Sequence, residues 1–419
     1  MSILRHCASL AQKQGSLRPS VAYPLAMSRC WLLCLMIPAC ASSSDAGSSG
    51  GATHEVVADG DAGDAGDAGT GIGAVDGASS NDGASACARC RADQLCVGGK
   101  CAFACSGMHV PGDYPSIQAA IDALASADAD ASICLGEQTY SEAIQLRNPA
   151  HQGRALSIMG LDAARTKIAG TVYYNGQWAT ASLKGLWVDG GVSNPAVSVS
   201  LNYGGKVTVT AARLTGFRGL FGEYAEGVLP HNDATFVIDG CELSGSGVPN
   251  AILIDVSGAA AVGHVRATVQ NSWFHDSYIG AAFGGEQQPM DVTFVNNTIA
   301  GCAMGVNMAG AHLIGHEANN IIVGAQTSGV LITGDGTSVT RSNDAFHGNA
   351  ANYAGDAKAG SGDVSTDCNL DTSTPPVPDG SSPCHGGGTT ASAPSSDYFG
   401  DSRGSSVDIG AVQQSAPTH

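Results

Sequence analysis

The feature that most constrains the fold of this chain is a recurrence. A short β-branched segment, closed by Asn or Gly, returns along residues 184–348. Its clearest copy is Val292-Thr-Phe-Val-Asn-Asn-Thr-Ile-Ala-Gly-Cys302. Related copies are Lys184-Gly-Leu-Trp-Val-Asp-Gly190, Thr210-Ala-Ala-Arg-Leu-Thr-Gly216 and Asp239-Gly-Cys-Glu-Leu-Ser-Gly245. Further on come Gln270-Asn-Ser-Trp-Phe-His-Asp276, Asn319-Asn-Ile-Ile-Val-Gly324 and Ser342-Asn-Asp-Ala-Phe-His-Gly348. Alternating apolar residues read as a half-buried strand, and Asn tolerates the left-handed backbone of a sharp corner. The equivalent inward positions are Val188, Leu214, Leu243, Phe274, Ile299, Ile322 and Phe346, spaced by 26, 29, 31, 25, 23 and 24 residues. A period in this range marks units that bury their apolar face by stacking on one another. Ten-residue amphipathic stretches are lacking and Leu is scarce, so helical and leucine-rich repeats are disfavoured. An all-β parallel solenoid remains, with the longer periods placed as loops at one corner.

Upstream of the solenoid the chain changes character three times. Residues 27–40 carry a basic start at Arg29, a short apolar run from Trp31 to Ile37, and Ile37-Pro-Ala-Cys40. The run is too short to span a bilayer and reads as a signal. It is complete if translation starts at Met27, within a signal region of 1–39. The ending resembles a bacterial lipobox, which implies lipidation at Cys40 and a membrane partner through that anchor. In a Gram-negative cell, Ala41 implies sorting to the outer membrane or cell surface. Residues 40–86 form an Asp/Gly/Ala/Ser linker; 41–86 hold eight acids and no Lys or Arg. Such a segment cannot bury enough surface to offset its chain entropy.

A small Cys-rich module follows over 87–108, with Cys87, Cys90, Cys96, Cys101 and Cys105. In an exported chain these read as disulfides rather than a zinc site. Five is odd, so one must pair outside. Cys134 is the expected partner, with Cys105 a candidate for its other half, and Cys368 is expected to pair with Cys384. Cys241 and Cys302 read as small buried apolar residues.

The solenoid is expected over 109–360 and a closing segment over 361–419. At its start, Ile117, Ala120, Ile121 and Leu124 have helical spacing behind Ser116, a suitable N-cap. The sequence Tyr114-Pro-Ser-Ile-Gln-Ala-Ala-Ile121 followed by Gly136-Glu-Gln-Thr-Tyr-Ser-Glu-Ala-Ile144 resembles the N-terminal cap and first coil of the pectin lyase-like superfamily. Asp397-Tyr-Phe-Gly-Asp-Ser-Arg403 with Val407-Asp-Ile-Gly-Ala411 resembles the ending of exported bacterial β-helix proteins of the choice-of-anchor Q type. The resemblance implies a right-handed parallel β-helix with a short N-terminal capping helix. An ion pair between Arg403 and Asp408 is expected to fasten the terminal strand to the last rung.

The formal net charge of −18 makes nucleic acid a poor partner. The superfamily's pectate lyases use Asp ligands for calcium with an Arg or Lys base, and its polygalacturonases use Asn-Thr-Asp, Asp-Asp, Gly-His-Gly and Arg-Ile-Lys motifs. None of those four motifs occurs in the rungs. Calcium is therefore an expectation for a lyase alone, and no other cofactor is implied. If Leu214, Leu243 and Phe274 point inward, then Arg213, Glu242 and Trp273 point outward on successive rungs beside His275. That strip suits sugar binding through Trp273, but a ladder ion pair between Arg213 and Glu242 is the commoner meaning of such a pattern. The catalytic candidates, should the chain be an enzyme, are Glu242, His275, Asp291 and Arg213, with Asp291 placed alongside Asp255, His264 and Arg266 in connecting segments. The sequence thus favours a surface binding or structural module facing carbohydrate or another envelope component. The alternative is a polysaccharide lyase or glycoside hydrolase with a non-standard site.

Overall fold

The computed structural model describes residues 90–91, 94–97, 100–124, 129–146, 153–175, 178–200, 205–224, 233–245, 247–248, 250–258, 263–285 and 289–414. The signal region, Cys40, the linker and Cys87 lie outside the described residues. Three parallel sheets of ten, nine and nine strands run the length of the chain from Met108 to Gly355. From Ala131 onward, strands of one sheet recur at every third position in the strand order, so each turn of chain contributes one strand to each sheet. The chain is therefore a parallel β-solenoid of right-handed type. Faces one, two and three denote the sheets that contain Ala131–Leu135, Gln138–Tyr140 and Ile144–Leu146.

The inward columns are continuous. On face two, Tyr140, Ile168, Val188, Leu214, Leu243, Phe274, Ile299, Ile322 and Phe346 are register partners, and all are buried. On face one, Ile133, Ile158, Leu183, Val209, Ile238, Val269 and Phe294 stack in the same way. Each rung buries its apolar edge only against the rungs above and below, which is why the sequence repeats at the coil length.

The corner between faces one and two is a column of left-handed residues. Gly185, Ala211, Gly240, Asn271, Asn296, Asn319 and Asn343 all have φ between 50° and 63°. One residue later runs an internal ladder. Ser272 N–H donates to Asn297 Oδ1 at 3.0 Å, Asn297 N–H to Asn320 Oδ1 at 3.0 Å, and Asn320 N–H to Asp344 Oδ1 at 2.8 Å. These side chains satisfy backbone groups that a buried corner would otherwise leave unpaired.

Both ends of the chain fold back onto that corner. A hairpin of Gln94–Val97 and Lys100–Phe103 is stapled by Cys90–Cys101, and Cys96 is also disulfide-bonded. Cys105–Cys134 ties it to the first coil. A Cβ at Gly185 would lie 2.3 Å from the Phe103 ring, so this corner residue is glycine because the hairpin covers it. The C-terminal segment continues the cover. Asn296 Nδ2 donates to the carbonyls of Asp408 and Gly410, Asn319 Nδ2 to Thr389 O, and Asn343 Nδ2 to Gly387 O.

The expected Arg403–Asp408 ion pair is not formed. Arg403 Nη2 donates to Asn271 Oδ1 at 3.0 Å and to the carbonyls of Gly410 and Ala411. Asp408 Oδ1 instead accepts from Gly386 N–H at 2.7 Å and lies 3.0 Å from His385 Nδ1. Arg403 meets Asp408 through its backbone carbonyl, at 3.4 Å. A guanidinium with several fixed donors is drawn to the strap's unpaired carbonyls, which leaves the carboxylate to the loop behind it. This C-terminal strap, residues 385–412, therefore grips the rungs of Asn271, Asn296, Asn319 and Asn343, meeting the last rung through Gly387 rather than through an Arg403–Asp408 pair, and it is not a strand.

The N-terminal cap explains the motif at 136–144. The helix Ile117–Ala123 starts at Ser116, whose side chain accepts from Ala119 N–H, and it buries Ile117, Ala120 and Ile121. The Glu142 carboxylate accepts from Ile117 and Gln118 N–H at 2.9 and 3.1 Å. It holds the helix N-terminus on the first coil with two charge-assisted bonds. Tyr140 donates its hydroxyl to Val110 O. Among the described residues no helix is long and apolar enough to cross a membrane.

Candidate functional site

The outward column of face two runs Lys167, Trp187, Arg213, Glu242, Trp273, Thr298, Ile321 and Ala345 in register. Its character switches at Thr298. Ile321 and Ala345 are buried with Ile409 and the Cys368–Cys384 disulfide, and Ala411 N–H donates to Thr298 Oγ1 at 3.0 Å. That half of the face belongs to the strap. The other half, from Lys167 to Trp273, keeps charged and aromatic side chains that remain partly exposed.

Within it the residues form two linked groups. Lys167 Nζ lies 3.6 Å from the Trp187 ring centroid and 2.8 Å from Asp189 Oδ2, while Arg213 Cζ lies 4.8 Å from the same ring. The Trp187 indole donates to Thr215 Oγ1 at 2.7 Å. Two cations and a hydroxyl thus engage this tryptophan. Next, Arg213 Nε lies 3.1 Å from Glu242 Oε1, close enough for an ion pair although the geometry is not that of a hydrogen bond. His275 Nε2 approaches the same oxygen at 3.3 Å, and its Nδ1 lies 2.8 Å from Asp276 Oδ2. Burial disfavours the charged imidazole, but the carboxylates on its two nitrogens outweigh that and raise its pKa. Trp273 stacks on His275, with ring centroids 3.9 Å apart and planes 20° from parallel. Its indole N–H has no hydrogen-bond partner.

The other candidates lie elsewhere. Asp291 and Arg266 are on face-one strands, not in connecting segments, and are register partners. His264, at the start of that strand, lies 2.9 Å from Asp291, and Arg266 bonds Asp233 at 2.6 Å. Asp255 is on face three, 3.2 Å from Arg218. The repeat motif marks the corner and the strand segments that meet there, Val292 and Phe294 included, but not the starts of the face-one strands, where Arg266 and Asp291 lie. Asp291 therefore does not share a site with Glu242 and His275. Among the described residues no group of three or more His, Cys, Asp or Glu side chains is arranged to hold a metal ion.

One buried cluster escaped the sequence reading. Arg341 Nε bonds Glu317 Oε2, Nη2 lies 3.0 Å from Asp344 Oδ2, and Nη1 lies 3.8 Å from Asp363 Oδ2. The signal was available: Phe294, Glu317 and Arg341 are spaced by 23 and 24 residues, the same steps as Ile299, Ile322 and Phe346.

Chemically, the face-two group is a fixed ladder. Glu242 faces the Arg213 guanidinium and the His275 imidazole, and the neighbouring carboxylate, Asp276, is on the far nitrogen of the same imidazole. An inverting hydrolase needs two carboxyl groups about 6.5–9.5 Å apart with room for a water between them; here the His275 imidazole lies between Glu242 and Asp276.

No protein family's sequence profile matches the chain, and no curated protein matches it in sequence. Among solved structures, the pectin methylesterase from Aspergillus niger matches at 14% identity and a TM-score of 0.33, over 65% of this chain and 94% of that one. The pectin methylesterase from carrot matches at 11% identity and a TM-score of 0.31, over 62% and 88%. The catalytic unit of a GH87 α-1,3-glucanase from Streptomyces thermodiastaticus matches at 13% identity and a TM-score of 0.20, over 63% and 68%. Likeness at this level does not carry over to side chains. The parallel β-helix fold of this chain rests on its own strand register.

Proposed function

We propose that this protein is an exported, lipid-anchored surface module that presents a β-helix for binding, with carbohydrate or another envelope component as its ligand. In this reading Cys40 carries the lipid and residues 41–86 are the tether. The observation that carries the binding role is the switch along face two. The strap covers the apolar half of the outward column and reaches the Gly240 corner with Tyr398, yet the side chains of Trp187, Arg213, Glu242, Trp273 and His275 stay partly exposed. Trp273 offers a partly exposed ring braced by His275, beside the polar groups of Arg213, Glu242 and His275, a pairing of apolar surface and polar neighbours that suits a sugar. Engagement of Glu242 by Arg213 and His275 favours binding over turnover.

The test is a screen of the purified chain against polyuronates and neutral glycans, with and without calcium. Binding without product supports the proposal. Unsaturated products or new reducing ends that vanish in Glu242→Gln would replace it with a lyase or hydrolase.

A further inference from the structure

The inward column of face one is apolar for seven rungs, from Ile133 to Phe294, and then becomes Glu317 and Arg341. The solenoid therefore ends in a charged plug. Glu317, Arg341 and Asp344 side chains are between 1% and 3% exposed, as is Asp363, which comes from the segment that covers the open end. Three carboxyl groups face one guanidinium.

Most of the acceptors are spoken for. Asp344 Oδ1 accepts from Asn320 N–H and from its Nδ2 at 2.8 and 2.9 Å. Asp363 Oδ1 accepts from Asp344 N–H at 3.0 Å, and Oδ2 accepts from Tyr353 OH at 2.8 Å and Gly360 N–H at 2.7 Å. Arg341 Nη1 also donates to Lys358 O at 2.9 Å. Glu317 Oε1, in contrast, is buried and has no partner. An ionised oxygen in that position costs far more than a hydroxyl. If all three acids were ionised, the plug would hold two uncompensated negative charges.

We infer that the plug retains one proton at neutral pH, shared between Glu317 and Asp344, and that loss of this proton in alkali loosens the C-terminal end of the solenoid. Burial pushes the Asp344 carboxyl up to about 8, with Glu317 and Asp363 adding to it and Arg341 opposing. Burial raises Glu317 too, against Arg341. The groups facing the plug are Arg341, Asp363 and Tyr353, and Asp356 and Lys358 line the open groove beside it. An acid whose pKa is raised on folding stabilises the fold fully below its unfolded value. That contribution is lost as pH rises through the folded value.

The experiment is a series of melts of the full chain between about pH 6 and about pH 9, with Glu317→Gln and Asp344→Asn alongside. The wild type is expected to lose on the order of 5 °C of Tm across this range, and at least one amide variant to lose less than half as much. An infrared band of a protonated carboxyl group, present at neutral pH and absent in that variant, gives a readout that does not depend on stability. If both folded variants keep the full pH slope, or the wild type shows no protonated-carboxyl band at neutral pH, the inference is overturned.

Discussion

The guanidinium of Arg91 donates to the backbone carbonyl of Tyr398, 307 residues further along the chain. The contact sits over Gly240, where a Cβ would lie 2.5 Å from Arg91 Nη1 and 3.0 Å from Tyr398 O. Here the N-terminal hairpin and the C-terminal strap meet, and together they cover the corner between faces one and two. Corner residues follow their cover. Glycine stands at 185 and 240, beneath Phe103 and beneath the Arg91–Tyr398 contact, and Asn stands at 296, 319 and 343, where the strap offers carbonyls.

The strap depends on Arg403. Its side chain is buried and makes bonds to Asn271, Gly410 and Ala411. Arg403→Leu is expected to cost about 3 kcal/mol, because it strands several carbonyls. The check is a denaturant melt paired with limited proteolysis, in which cleavage within 385–412 should appear before the solenoid unfolds.

The two positions of each corner should respond differently. Asn320 lies inside, donating to Phe294 O and Asp344 Oδ1 and accepting from Asn297 N–H. Asn320→Leu should cost about 3 kcal/mol by leaving buried backbone groups unpaired. Asn296→Gly keeps the left-handed backbone but loses the two bonds to the strap and the one accepted from Asn319 Nδ2, leaving no corner backbone group unpaired, so about 1 kcal/mol is expected. Equilibrium unfolding of both variants checks the order; equal costs would contradict the ladder.

His275 should report on its carboxylates. Its pKa is raised because Glu242 and Asp276 outweigh the burial that opposes them. The stabilisation it contributes is fully present below its ordinary value of 6.5 and is lost as pH rises through the higher folded value. Glu242→Gln should lower the imidazole pKa, measured by NMR titration of the ring, and an unchanged value would contradict the pairing.

Cys105–Cys134 joins the hairpin to the first coil across 29 residues. Replacing both cysteines by serine should cost about 3 kcal/mol through loop entropy. The expected readout is earlier melting of the N-terminal cap in hydrogen exchange, while the rungs near Phe346 keep their protection.

The solenoid was legible because its strongest signal is local and periodic. The face-two triplets carry an apolar residue between two outward ones, so Val188 to Phe346 could be aligned by subtraction. The face-one strands end at the Asn or Gly corner but start without a comparable signal, so Arg266 and Asp291, each the second residue of its strand, were misplaced into loops. Long-range chemistry was less accessible. That Arg403 would reach Asn271, 132 residues away, depends on where the strap lies, which no local pattern encodes. The same limit hid the partners of Glu317. Its position in the inward column could be counted, but Asp363 arrives from the covering segment.

The most direct test of the account is an affinity titration with a glycan retained in the screen, comparing wild type with Trp273→Ala. Trp273 is half-buried on the outer surface, so the variant should keep the wild-type melt within about 1 kcal/mol. The account predicts at least about tenfold weaker binding in the variant, or about 1.4 kcal/mol. Unchanged affinity in a folded Trp273→Ala protein would contradict the placement of the ligand on face two.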